Sequence, residues 1–549
     1  MPTERQDTTS SPVLLSIPSI NSRIPSCSPA RSGSLAISYG AVKPHQVTLI
    51  AIGSAINTGL MIASGNALAK AGPAPVLISY TVVGVLVYHV LCALAEIASP
   101  ESSTVADRAA RFCDPSLGFT IEWIYWLKYM VVTPNQLTAA ALVVLYWLDA
   151  ETVNPGIWIT VFMIVMIGAN YWGSRFLGQY EFFLSSFKIT VVLGLMVLSL
   201  VLALGGGPDH DRKGFRYWVK PGAFAGDATA LGRFRAVCRT IPSAMFAYVG
   251  SELIGISILH TRNPRKAAVR ATKVTFYRIL VINIVTVILL GMLVPYDASS
   301  LEFARMARTA LKPRGAISLL AEDDREPTSA TASSAAAFVV AMQMSNVAVL
   351  PHILNACFLL FVLSAANHAL CTATRTLYGL SLGRNAFRFL SHVDRRGVPV
   401  YTLLVCSAVA SLAYLNIQED SKLLFDYFVN LVTMFSVLTW ISILVVHIMF
   451  VRARTAEASK ALTFKAPFGV VGSWVALTLC VLITFARAFD IVADPDGTFD
   501  YKALITSYIG IPLYLALIIG YKLVSSNRRA HQSVELQTLQ HTTNENTNA

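Results

Sequence analysis

Charged residues leave long stretches of this chain untouched. Apolar runs follow one another at 47–67, 74–98, 119–147, 156–173, 182–204, 238–259, 275–296, 350–382, 399–417, 424–451, 470–489 and 504–524. A helix of about 20 apolar residues crosses the hydrocarbon core of a bilayer. The pattern therefore predicts an all-α membrane protein of about 12 transmembrane helices. Residues 1–44 are rich in Ser and Pro and hold no apolar run long enough for a signal peptide, while Asn, Thr, Gln and His dominate 525–549. Both read as disordered tails flanking a transmembrane domain over 45–524.

Composition agrees with the pattern. Of 549 residues, 54% are apolar and 13% charged, whereas soluble proteins carry about 25% charged residues. That excludes an ordinary soluble enzyme, a disordered chain and a secreted disulfide scaffold. The net charge of +12 comes largely from clusters between apolar runs, such as Arg262, Arg265, Lys266, Arg270 and Lys273, or Arg384, Arg388, Arg395 and Arg396. Clusters so placed fix topology rather than bind nucleic acid, and they put both tails on the cytoplasmic side. Two long outer loops, about 205–237 and 297–349, carry Arg and Lys but weigh less in that rule.

The eight cysteines form no CxxC pair, the ten histidines are scattered singly, and HExxH, GxSxG and P-loop motifs are absent. No enzyme activity, metal or cofactor is expected.

Two spans look interrupted. The first holds Gly53-Ser54-Ala55-Ile56-Asn57-Thr58-Gly59, and the sixth holds Tyr248-Val249-Gly250-Ser251-Glu252-Leu253-Ile254-Gly255. They occupy matching positions in two halves of five helices, the best sequence pointer to a transporter's midplane site. A break exposes backbone N–H and C=O groups at bilayer depth, where a ligand or water-filled cavity must satisfy them. Half-helix N-termini attract a carboxylate and C-terminal carbonyls an ammonium. A zwitterionic amino acid presents both. The competing reading is that these glycines only allow close helix packing.

These residues resemble a known family. The run Ile52 to Leu60 looks like the first-helix signature of the fungal amino-acid permeases, in the amino acid–polyamine–organocation superfamily. GSELIG at 250–255 followed by Asn263-Pro264-Arg265-Lys266 is similar to that family's sixth helix and its exit. Phe182 to Lys188, Arg375 to Gly379, Arg395 to Pro399 and Lys465-Ala466-Pro467 add further matches. Leu127-Lys128-Tyr129, Val132 to Ala140 and Gly205 to Arg212 look like the dicarboxylic amino-acid permease branch. The resemblance implies the leucine-transporter fold, a 5+5 inverted repeat plus two helices, and import of glutamate and aspartate with protons across the plasma membrane. The chain departs from the pattern at Ser54, Ala55, Asn57, Met61 and Leu94 to Ile97.

In this reading Ala55, Ile56, Asn57, Thr58 and Gly59 cradle the substrate carboxylate, and carbonyls of Tyr248, Val249, Gly250 and Ser251 meet its ammonium. Ionisable residues at bilayer depth cost roughly 2.5–3.5 kcal/mol each and are functional candidates by default. Lys188 is expected to exchange the coupling proton, with snorkelling to the interface as the alternative. Lys128 is expected to face an acidic side chain, or else to pair with Glu122. Glu252 and Glu96 are candidates for the proton path, Tyr248 for a gate, and Ser364 and Asn367 for polar pocket walls. Two alternatives stay open: a divergent transporter of another amine-containing metabolite, and an amino-acid sensor, against which the short tails count. Ubiquitin-ligase and trafficking machinery are the expected partners of the tails, and the N-terminal tail has no lysine before Lys43.

Overall fold

The computed structural model describes residue 53 and residues 58–97, 104–148, 153–172, 177–226, 229–252, 279–298, 336–347, 349–417, 421–453, 464–492 and 501–526. The predicted N-terminal tail, Lys43 included, and residues 527–549 lie outside them, while Ser525 and Ser526, read as tail, continue the last helix.

Helices in chain order are α1 (Ser64–Ala71, entered through a π-helical turn, Gly59–Ala63), α2 (Pro73–Ile97), α3 (Val105–Phe112), α4 (Pro115–Val144), α5 (Pro155–Trp172), α6 (Leu177–Ala203) and α7 (Ala230–Tyr248). There follow α8 (Val285–Leu293), α9 (Ala337–Met344), α10 (Leu350–Leu382), α11 (Val400–Ala410), α12 (Ser421–Ala453), α13 (Gly469–Val492) and α14 (Tyr501–Tyr508), the last continuing within an apolar helix to Ser526. No strand occurs among the described residues.

Seven of these helices are long and apolar enough to cross a bilayer: α2, α5, α6, α10, α12, α13 and the Tyr501–Ser526 helix. Their outer faces keep large apolar side chains exposed, as at Val85, Ile164, Phe183, Val197, Phe485 and Leu523. Lipid is the fitting solvent for such faces, since all their backbone bonds are satisfied within the helix.

The polar residues of α4 turn inward. It is the hub, packing along α10 and α12, and Lys128, Thr133, Asn135, Gln136 and Thr138 are all buried. A helix enclosed by protein need not be apolar throughout, and Pro134 inside it is tolerated for the same reason.

Two helices fall where the sequence predicts none. The amphipathic α3 begins with a capping box, in which the Thr104 side chain and Asp107 satisfy each other's backbone N–H. The apolar α9 corrects the reading of 297–349 as an outer loop. Its eight residues rise only about 12 Å, too short to register as a span, yet Ala337 to Met342 are buried. A Cβ on Gly65 of α1 would sit 2.9 Å from the Ala337 Cβ. In addition, α7 starts at Ala230, eight residues ahead of the predicted 238, so Arg233 and Arg235 are helical rather than looped.

Candidate functional site

The sixth-span break is present in the chain as folded. Helix α7 ends at Tyr248, Val249 is extended (ψ 138°), and Gly250 takes φ +85°, a left-handed conformation suited to glycine. The Ser251 N–H closes a turn on the Tyr248 carbonyl at 3.2 Å. Of the break predicted in the first span, Ala55, Ile56 and Asn57 lie outside the described residues. Thr58 and Gly59 are described: Thr58 Oγ1 donates to Gln136 Oε1 of α4 at 3.0 Å, and Tyr80 Oη donates to the Gly59 carbonyl at 3.1 Å.

The start of the described part of the first span touches the end of α7. A Cβ on Gly59 would fall on the Ala247 backbone, one residue before the end of α7. Backbone cannot retreat as a flexible side chain can, so Gly59→Ala is expected to cost about 1–3 kcal/mol or more. Thermal unfolding in detergent should show a clear drop for this variant, and transport should fall with it.

Beside that contact lies a cavity of about 40 Å³, lined by Tyr129, Val132 and Gln136 of α4, Glu181 and Lys188 of α6, Phe246, Val249 and Gly250 at the break, and Ser364, Ala365, His368 and Ala369 of α10. At 10–15 Å³ per water, it holds about three waters, less than an amino acid needs. Lys188 is 2% exposed, so it does not snorkel out of the protein. Its Nζ donates to Ser364 Oγ at 2.9 Å and stands 5.9 Å from the Phe361 ring centre. One turn away on α10, His368 Nδ1 lies 2.9 Å from Glu181 Oε1.

Lys128 is fully buried but stands apart from the cavity lining. It pairs with Glu252, just past the break, and its Nζ lies 4.5 Å and 4.8 Å from the ring centres of Tyr125 and Tyr129. Glu122, the partner weighed from sequence, accepts from Asn385 instead. Among the described residues Glu252 Oε2 has no hydrogen-bond partner.

Tyr248 turns toward α2, where its Oη donates to the Tyr80 carbonyl at 2.9 Å. The aromatics on the cavity are Tyr129 and Phe246. Asn367 faces α5 and accepts from Asn170 Nδ2 at 2.8 Å. Ser251 is buried at the break. Glu96 is far from the cavity in its contacts: its Oε2 accepts from the Ala466 N–H at 2.6 Å and meets His447 Nε2 at 3.1 Å, while Ser473 Oγ bonds His447 Nδ1 at 2.9 Å. That cluster ties α2, α12 and α13 together. Among the described residues no group of His, Cys, Asp and Glu is arranged to hold a metal ion.

Glu181 and His368 were not singled out from sequence. A signal existed: Glu181 and Lys188 are seven residues apart, and Ser364 and His368 four apart, so each pair shares a helix face. Glu181 sits one residue before the predicted span, and His368 reads as one more isolated histidine.

Residues 46–534 match the model of a family described as amino acid permease. The dicarboxylic amino acid permease of Saccharomyces cerevisiae is 41% identical over 490 residues, which cover 88% of this chain and 77% of that protein. An amino-acid permease of Candida albicans is 32% identical, covering 88% and 74%. A general amino-acid permease of Saccharomyces cerevisiae is 31% identical, covering 88% and 77%.

Proposed function

The chain belongs to the amino acid permease family, and from that premise we propose that it imports acidic amino acids, glutamate and aspartate, across the plasma membrane together with protons. It is an integral membrane transporter and not an enzyme. The observation that carries the coupling is the Lys188 ammonium, buried in a cavity beside the break at the end of α7 and held by Ser364. An amine in that position costs free energy while charged, and so can give up its proton when its surroundings change.

The substrate carboxylate docks on the N–H groups of the first break, around Ala55 to Gly59. Its ammonium meets backbone carbonyls between Tyr248 and Ser251. The cavity must widen to admit it, which suits a cycle of alternating access in which the substrate binds the occluded state best. The name of the 41% identical relative supports the choice of acidic substrates. Lys128 supplies the matching charge when a substrate side-chain carboxylate competes with Glu252 for it.

Uptake of labelled glutamate into proteoliposomes with an imposed pH gradient tests this reading. Gradient-driven accumulation is expected, with aspartate competing and neutral amino acids competing at least about tenfold less well, a difference of about 1.4 kcal/mol. Glutamate uptake that ignores the gradient, or that leucine suppresses as strongly as aspartate does, would overturn it.

A further inference from the structure

We propose that Glu181 and His368 form a second proton-holding station, and that the cavity between α6 and α10 passes a proton from Lys188 to that pair through water. This rests on the proton-coupled reading above and adds two coupling residues to it.

The geometry is a two-rung ladder. On α6, Glu181 and Lys188 stand two turns apart on one face, about 10 Å along the axis. On α10, Ser364 and His368 stand one turn apart and meet them, each contact at 2.9 Å. All four side chains line one cavity, whose 40 Å³ fits about three waters, enough to span the distance between the rungs. His368 is unfinished as a structural group. Its Nδ1 faces Glu181 without an aligned hydrogen bond, and its buried Nε2 has no hydrogen-bond partner among the described residues. A histidine serving only to bridge two helices would have both nitrogens satisfied. Here one basic nitrogen is left for a proton.

The step balances simply. The Lys188 ammonium releases a proton to the adjacent water, an N–H bond forms at His368 Nε2 from the far end of the water chain, and Lys188 is left a neutral amine. The new imidazolium is held by the Glu181 carboxylate 2.9 Å from its Nδ1. Tyr129 of α4 and Cys371 and Arg375 of α10 are the other ionisable groups near the pair. Arg375 stays charged throughout. It also lines a second pocket of about 70 Å³, with Asn170, Thr374, Gly397 and Pro399. That pocket abuts the Arg384–Arg396 loop, the side the basic clusters predict to be cytoplasmic, so the proton leaves in the direction that import requires.

The test is the ratio of protons to glutamate moved, read with an internal pH dye and labelled glutamate in proteoliposomes of the full chain. His368→Gln and Glu181→Gln are expected to lower that ratio at least fivefold, and to flatten the pH profile of the uptake that remains between pH 5 and 7. The double variant should behave the same way, and it avoids an unpaired buried charge if either single variant folds poorly. A ratio that stays at the parent's value in the folded variants, whatever their rate, overturns the proposal and leaves the proton-coupled reading standing. A parent that moves glutamate without protons overturns both.

Discussion

Lys188→Ala is expected to abolish pH-driven accumulation of substrate while leaving the protein folded. One pH unit can drive about tenfold accumulation for each proton carried, about 1.4 kcal/mol, and the variant should show none of it. Among the described residues the amine holds no carboxylate directly, only the Ser364 hydroxyl and the face of Phe361. Its removal therefore relieves the burial of a charge rather than orphaning an opposite one. Lys188→Arg is the sharper arm. A guanidinium keeps the positive charge but does not give up its proton at any working pH. If Lys188 served only to place a cation beside Ser364, arginine would restore accumulation. Proton exchange requires that arginine fail as alanine does. The readout is the ratio of internal to external labelled glutamate at a fixed one-unit gradient, and accumulation retained by either variant removes Lys188 from the coupling mechanism.

What the sequence could reveal depended on the range of the interaction. Helices facing lipid are dictated locally, by unbroken apolar runs: the predicted 74–98 and 350–382 correspond to Pro73–Ile97 and Leu350–Leu382. Helix α9 was invisible for the converse reason, since eight apolar residues span too little to signal a crossing and only burial against α1 and α10 gives them a role. The sixth-span break was legible because Gly250 occupies a backbone conformation its neighbours resist. Pairings across the bundle were not. Lys128 meets Glu252 from 124 residues away, and nothing in either segment names the other. The nearer Glu122, six residues before Lys128 on the same helix, was the natural local guess. His368 and Glu181 were hidden in the same way, each unremarkable until α6 and α10 are set side by side.

The Lys128–Glu252 pair yields the largest expected effect on stability. Lys128 is fully buried and Glu252 is 2% exposed, so removing either leaves an uncompensated charge in a low-dielectric interior. Glu252→Gln and Lys128→Met are each expected to cost about 3–5 kcal/mol, while the two combined should recover most of that loss. The coupling follows from burial: the desolvation penalty of two ions is met only when both are present, so neutralising both removes penalty and attraction together. Thermal unfolding of the parent, both single variants and the double variant in detergent closes the cycle. Additive losses would mean that the two charges do not hold α4 to the break. The same double variant bears on substrate choice, because Glu252 supplies a carboxylate where an acidic substrate would bring its own. With Lys128 replaced by methionine no cation remains for that exchange, and glutamate should lose its advantage over leucine in competition for uptake. If the stabilised double variant still prefers glutamate as strongly as the parent does, Lys128 is a strut between α4 and the broken helix, and the acidic side chain is recognised elsewhere.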